Sequence, residues 1–435
     1  MHRIVSCLML GALAVLANTG SAAEVLDLGA ALARARESNP DLRQAAAVAA
    51  MAQASASEAS SAYMPRVDVG VGYQVTNEPG TAFGYILNQG AFGPGIDFND
   101  PGTTDDLRLS ARIGWRAFDG SRGAQVDAAQ SGAAAALVHH QAAGRDLDLA
   151  VAEAWLATLA RREAVSAAEI SVEAVAAHHA RLTAGGDEGA ELKIDVLEAA
   201  VQLEQARTAL IIARGSERRA RVGLARLLLL DPADLVLPDA VPELAMVEQG
   251  LSQSELDRIR AVRLRMDSAN AAMRAARGEY LPSLDLVAGG AYDYGFETDS
   301  DGTSYAVGLS LSWSAWDGGG RSARYERASA DLTRARAQLT ATQAQVDEQY
   351  RLAQIQLTEA VERLATAKRG LELALSSVEV ATESYQAGAA VLARVLDAEA
   401  AAAEARQQVV AARVGRQVAV ARLRHALGLD IVAPQ

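Results

Sequence analysis

The chain offers few side chains for covalent or metal chemistry. Its one cysteine is Cys7, and its six histidines include the adjacent pairs His139-His140 and His178-His179. Adjacent residues on a helix point apart, so neither pair presents two ligands to one ion. The run "WDGGGR", Trp316 to Arg321, invites a phosphate-loop reading. A P-loop needs G-x-x-x-x-G-K-[ST], and the lysine and the second spacing are missing. No H-E-x-x-H stretch occurs, and no Ser/His/Asp grouping follows from spacing. The expectation is therefore no enzyme, no cofactor and no metal. The glycine run has a simpler use: Asp317 can cap a helix start while the glycines permit a sharp strand-to-helix junction.

That junction occurs twice. Trp115, Phe118, Asp119 and Gly120 in the first half match Trp313, Trp316, Asp317 and Gly318 in the second, with Asp119 and Asp317 offset by 198. "YMPRVDVGVGY" from Tyr63 and "YLPSLDLVAGGAY" from Tyr280 share their opening at an offset of 217. "IDVLEAAVQLEQAR" from Ile194 and "ARVLDAEAAAAEAR" from Ala393 are offset by 199, as are "LLLLDP" from Leu227 and "ALGLDI" from Ala426. The change from 217 to 198 places a longer inter-strand loop in the first copy. A repeat this long is a tandem of two large units rather than a solenoid. The expected division is a signal peptide over 1–23, repeats over 24–230 and 254–435, and a proline-containing linker over 231–253.

The amino terminus reads as an export signal: His2 and Arg3, an apolar Ile4 to Ala17, and the small residues Ser21-Ala22-Ala23. Cys7 lies inside that signal, which argues against lipid anchoring, disulfides and thiol catalysis in the exported chain. The net charge of -13 argues against nucleic acid, whose phosphates need a basic face. No further stretch approaches the roughly 18 apolar residues of a spanning helix, so any membrane passage must use β-structure.

Proline is missing between Pro101 and Pro232 and again between Pro282 and Pro434. Helices can run through those gaps, which are rich in Ala, Glu, Arg, Leu and Gln. The spacing predicts long helices over 121–183, 190–229, 319–386 and 390–428, the first on the order of 90 Å at about 1.5 Å per residue. Small and apolar residues three and four apart give coiled-coil-like packing, with alanine permitting close approach. Aromatics concentrate instead between Tyr63 and Phe118 and between Tyr280 and Trp316. Within those windows strands are predicted at about 64–75, 106–118, 281–294 and 304–316, each alternating with period two. Leu107, Leu109, Ala111, Ile113 and Trp115 share a face opposed by Arg108, Ser110, Arg112 and Gly114. Tyr305, Val307, Leu309, Leu311 and Trp313 share another. One apolar face, one polar or tiny face and aromatic ends fit a transmembrane barrel, while alternation alone also fits a soluble antiparallel sheet. Four strands cannot close a barrel, and open edges cannot face lipid, so membrane strands would have to be pooled by several copies.

The signal peptide, the duplicated strand opening, the aromatic-Asp-Gly before each long helix and the pattern Tyr385, Gly388, Val395 to Ala398 resemble the TolC-type outer membrane efflux proteins. "AFGYILNQGAF", Ala82 to Phe92, resembles one branch of that family. The resemblance covers the chain beyond its signal. It implies a mixed α/β membrane protein: a homotrimer with a twelve-stranded barrel, four strands per chain, continued by a periplasmic α-helical barrel. It also implies an outer-membrane exit duct for efflux or secretion, docked to a periplasmic adaptor and an inner-membrane transporter. It places a periplasmic gate at the hairpins Leu182 to Ala199 and Tyr385 to Ala398, where Asp195 and Asp397 match acidic tip positions and Tyr385 a tip tyrosine. The chain departs from the family pattern at Arg394, where relatives carry a pore-narrowing aspartate, and at Ala390, where they carry a locking arginine. A periplasmic coiled-coil adaptor and a soluble periplasmic enzyme are the other classes; the first would lack the four strands and the second has no catalytic constellation.

Overall fold

The computed structural model describes residues 25–184, 190–246 and 256–432. The expected signal peptide, the tip of the first hairpin and part of the expected linker lie outside them. Two short helices open the described chain, α1 (Leu28–Ser38) and α2 (Pro40–Ser61). Asn39 starts α2 by accepting from the amides of Asp41 and Leu42, and Pro40 occupies the first turn, where its missing N–H has no bond to lose. Then follow β1 (Arg66–Thr76), α3 (Pro79–Asn88), β2 (Thr104–Asp119), α4 (Arg122–Ala184) and α5 (Ala190–Leu228). After a short turn at Pro232–Asp234, the chain gives α6 (Asp257–Gly278), β3 (Ser283–Gly295), β4 (Ser300–Ser312), α7 (Gly320–Gln386) and α8 (Leu392–Ala426). The order α6, β3, β4, α7, α8 echoes α2, β1, β2, α4, α5, with α3 as an added element in the first inter-strand segment. Among the described residues no helix is long and apolar enough to cross a membrane.

The chain forms two compact units, each discontinuous and each drawing on both halves of the sequence. Of the described residues, one comprises 25–38, 150–184, 190–245 and 360–418. Its core is Val151, Trp155, Leu156 and Leu159 of α4, Leu224 and Leu228 of α5, and Leu235 and Leu237 beyond α5, all buried. The extended segment after α5 has no ladder partner along most of its length, and side chains answer its backbone groups. Arg221 donates to the carbonyls of Pro232 and Leu235 at 3.0 and 2.6 Å. Arg162 donates to those of Leu237 and Pro238. Gln417 accepts from the Leu244 amide at 3.0 Å. The Trp155 indole donates to the Leu26 carbonyl at 3.1 Å, which ties the described amino-terminal end into the same core.

The other unit comprises, of the described residues, 39–149, 246, 256–359 and 419–432 and holds the sheet. The strands run antiparallel in the order β1-β2-β3-β4. Val67 pairs with Ile113, Ile113 with Ala288, and Ala288 with Val307, so the alternating residues of all four strands fall on one continuous apolar face. Asp68, Arg112, Gly289 and Ala306 are the corresponding row on the opposite face. Below the sheet, Asp146 accepts from His425 at 2.8 Å and pairs with Arg258, joining α4, α6 and α8. Burial would raise the Asp146 carboxyl, but these two partners hold it below the ordinary carboxylate range.

Two helix ends at matching positions close by the same hydrogen-bond pattern with different residues. After α8, Gly428 at φ +69° donates to the His425 carbonyl and Leu429 to that of Arg424. After α5, Leu229 and Leu230 repeat those bonds to Arg226 and Ala225, with Leu229 at φ +49°. The left-handed conformation costs a branched residue about 1–2 kcal/mol, and the exposed Leu229 side chain gains little from burial. Leu229→Gly is therefore expected to stabilise the protein by about 1 kcal/mol, read as a higher denaturant midpoint in detergent; a lower midpoint would contradict this account of the cap.

Candidate functional site

The residues singled out in sequence fall at the two strand-to-helix junctions, at the hairpin between α7 and α8 and, for Asp195, on α5. At the first junction β2 reaches its end through a bulge. Arg116 pairs with Asp285 and Phe118 with Leu284, so Ala117 is the extra residue. Without that insertion Phe118 would turn to the polar side; with it, Phe118 joins Trp115 on the apolar face and Asp119 falls on the polar one. The Trp115 indole donates to the Tyr63 carbonyl at 3.0 Å, which fastens β2 to the end of α2. Asp119 accepts from the Ser121 amide at 2.8 Å and from its hydroxyl at 2.7 Å, capping the start of α4. The buried Arg122 guanidinium then lies 5.4 Å from the centre of the Tyr63 ring.

The second junction repeats the indole, ring and aspartate–amide contacts, with the amide now supplied by Arg321 and no hydroxyl cap. The Trp313 indole donates to the Tyr280 carbonyl at 3.2 Å. Asp317 accepts from the Arg321 amide at 2.8 Å at the start of α7, and the buried Arg321 guanidinium lies 5.0 Å from the centre of the Tyr280 ring. Sequence patterning placed the tryptophans and aspartates but not Tyr63, Tyr280, Arg122 or Arg321 as their partners. The signal was available, because Arg122 and Arg321 stand at the same 199-residue offset as the later repeats. β4 ends at Ser312, short of the expected Trp316, so Trp313 and the largely exposed Trp316 belong to the connecting segment.

Glycine serves the two junctions for different physical reasons. A β-carbon on Gly120 would sit 2.6 Å from Leu281 and 2.7 Å from the Gly278 carbonyl, so the first junction is a close backbone crossing with α6. Gly318 and Gly319 lie in open space at φ +71° and +91°, so the second is a conformational requirement. Gly320 opens α7 against the Asp317 carboxylate.

At the hairpin, α7 ends in a glycine cap: Gly388 at φ +69° donates to the Tyr385 carbonyl and Ala389 to that of Ser384. Tyr385 is half-buried and packs with Leu182 and Ala381 around Val395 and Leu396. Arg394 and Asp397 are exposed on the first turns of α8, and Asp195 is half-buried on α5. Among the described residues no hydrogen bond or ion pair joins the side chains of Asp195, Tyr385, Arg394 and Asp397 to one another. The turn of the first hairpin, 185–189, lies outside the described residues. Nearby, His178 of α4 is buried; burial first, and the charge of Arg181 second, hold its imidazole below the ordinary histidine range against the pull of Glu399. Among the described residues no group of three or more His, Asp or Glu side chains is arranged to hold a metal.

Valine at both Gly318 and Gly319 should cost about 2–4 kcal/mol from left-handed strain alone, seen as a lower melting temperature in detergent. Gly120→Ala should lower it through the clash with Gly278 and Leu281, whereas Gly308→Ala, whose β-carbon meets nothing within 4 Å, should leave it unchanged. Equal melting temperatures for Gly120→Ala and Gly308→Ala would show that the crossing does not constrain the junction.

Most of the chain matches known proteins. The family model "Outer membrane efflux protein" matches residues 31–228 and 251–429. Protein CyaE of Bordetella pertussis is 29% identical over 247 residues, which is 52% of this chain and 50% of CyaE; the chain thus aligns with about half the length of that relative. Outer membrane protein TolC of Escherichia coli is 24% identical over 416 residues, covering 91% of this chain and 80% of TolC. The fold matches the solved CmeC outer membrane channel of Campylobacter jejuni with a TM-score of 0.79 at 16% identity, over 92% of this chain and 85% of CmeC. With both repeats matched and the sheet and long helices laid out as in a solved channel, the chain belongs to the outer membrane efflux protein family.

Proposed function

We propose that three copies of this chain form an outer-membrane exit duct through which an efflux or secretion system passes its cargo to the exterior. The observation that carries the reading is the sheet. One face is apolar across all four strands and exposed in the single chain, with Val69, Val307 and Leu311 at 78%, 78% and 69% exposure. The edges, β1 and β4, are open along their length. An apolar face suits lipid, and open edges in lipid need partners, so β4 of one copy pairs with β1 of the next until twelve strands close. The polar face, with Asp68, Arg112 and Ser310, then lines water.

The two junctions mark where the chain leaves the bilayer. Trp115, Phe118, Trp313 and Trp316 sit at the membrane interface, Asp119 and Asp317 start the periplasmic helices, and Gly120 and Gly318 make the turns. The helices continue the duct as a barrel. Exposed Ile194, Leu197, Val201, Ile211 and Ile212 on α5 are apolar surface that neighbouring copies would cover. The α7–α8 hairpin, with Tyr385, Arg394 and Asp397, and the α5 residue Asp195 form the periplasmic gate, where an adaptor protein and an inner-membrane transporter dock. In this reading the duct is passive and energy comes from the transporter.

Face assignment is open to direct test. Val307→Arg, mid-strand on the apolar face, should cost about 2–4 kcal/mol at the bilayer midplane and strongly lower the yield of heat-dissociable trimer in detergent. Gly308→Ser, one residue on and facing the lumen, should assemble normally and conduct in a planar bilayer. Equal tolerance of both substitutions, or solubility of the parent without detergent, would reject the duct.

A further inference from the structure

The two inter-strand connections are unequal: residues 296–299 join β3 to β4, whereas 77–103 lie between β1 and β2. The longer one is folded and seated. Ala82 and Ile86 of α3 are buried, and α3 contacts β2, β3 and β4. Register fixes which side of the sheet it covers. Gly302 pairs with Asp293, on the same face as Arg108, and a β-carbon on Gly302 would strike the Asn88 carbonyl at the end of α3. A β-carbon on Gly295, also on that face, would strike the Gln89 side chain. The helix therefore lies on the polar face, at the end of the strands remote from the junctions.

It is anchored there by buried polar groups. Gln89, 1% exposed, donates to the Asp105 carbonyl at 2.7 Å and to the Asp106 carboxylate at 3.0 Å, and accepts from the Thr298 hydroxyl at 2.8 Å. Asp293 is fully buried with Arg108 3.3 Å away. Phe83 of α3 packs against Phe92 and Phe98, and Leu87, Phe92 and Phe98 are about half exposed.

We infer that α3 is the outer constriction of the duct and determines what size of solute leaves it. The inference rests on the trimeric reading above, in which the polar face lines the lumen. Eight strands make a barrel that side chains fill and sixteen leave a wide aqueous channel, so twelve leave an intermediate bore. A helix with its side chains is about 10–12 Å across, and three of them, one per copy, occupy much of that bore at its outer mouth. Leu87, Phe92 and Phe98 then face the passage as an apolar ring within a lumen otherwise walled by Asp, Arg, Ser, Gly and Ala, with Val287 among them.

The test is single-channel conductance of reconstituted trimers. Replacing residues 77–103 by a four-residue turn should raise conductance by about twofold or more and widen the size range of neutral polymers that enter. In the full-length chain, Leu87→Cys treated with a bulky methanethiosulfonate reagent should lose conductance, and with Cys7 in the expected signal that thiol would be the mature chain's own. If parent trimers conduct while the shortened chain conducts equally and labelled Leu87→Cys is unaffected, the constriction is refuted and the duct stands. If parent trimers do not conduct, the duct reading falls and this inference with it. Should the shortened chain fail to assemble, the labelling of Leu87→Cys decides alone.

Discussion

An unpartnered backbone amide or carbonyl in hydrocarbon costs several kcal/mol, and the sheet is built around that constraint. Four antiparallel strands satisfy each other internally and leave two edges, β1 and β4, for another copy to satisfy. Pooling strands works only if every strand shows the same face to lipid. Side-chain parity must therefore hold from Val67 through Ile113 and Ala288 to Val307, and it does. One slipped residue would place Arg112 and Asp285 among lipids. The bulge at Ala117 is a consequence: β2 is the longest strand, and only an extra residue lets Phe118 stay apolar-side while Asp119 reaches the helix start.

The same constraint bears on the contacts at the junctions. A barrel strand must hand over to a helix of 63 or 67 residues without letting either change direction. In each repeat three contacts fix that handover: indole to tyrosine carbonyl, arginine over the tyrosine ring, and aspartate to a helix-start amide. Each is worth on the order of 1 kcal/mol, so none is decisive singly. Together they define direction, because they join the end of the incoming helix, the end of a strand and the first turn of the outgoing helix.

Much of this was legible in the sequence for a physical reason. Period-two alternation and proline-free alanine-rich runs are local signals, so strands and long helices were placed to within a few residues, β4 excepted, whose segment beyond Ser312 keeps the alternation of Trp313 without a partner strand. Long-range partners were not legible. Neither Gln89 bridging to Asp105, Asp106 and Thr298 nor Arg162 answering the carbonyls near Leu237 leaves a periodic trace, since each depends on where a loop returns. The helix α3 was hidden as well, because a ten-residue segment with Gly80 and Gly84 has little helical propensity of its own and gains its order from the sheet beneath. The compact units could not be read at all, since each is assembled from both repeats.

The differences between the repeats carry as much meaning as their likeness. The junction contacts are kept in both, although a bulge and a tight glycine crossing make one turn while two left-handed glycines make the other. Conservation of contacts with divergence of means is expected where geometry, not residue identity, is constrained. The inter-strand connections were not kept alike: one is a four-residue turn and the other carries an anchored helix. In a trimer the six junctions would present nearly equivalent geometry to the bilayer, whereas the outer mouth would keep only threefold symmetry, with every second hairpin reaching inward. The duplication is thus preserved where the chain must satisfy lipid and broken where only the lumen is affected.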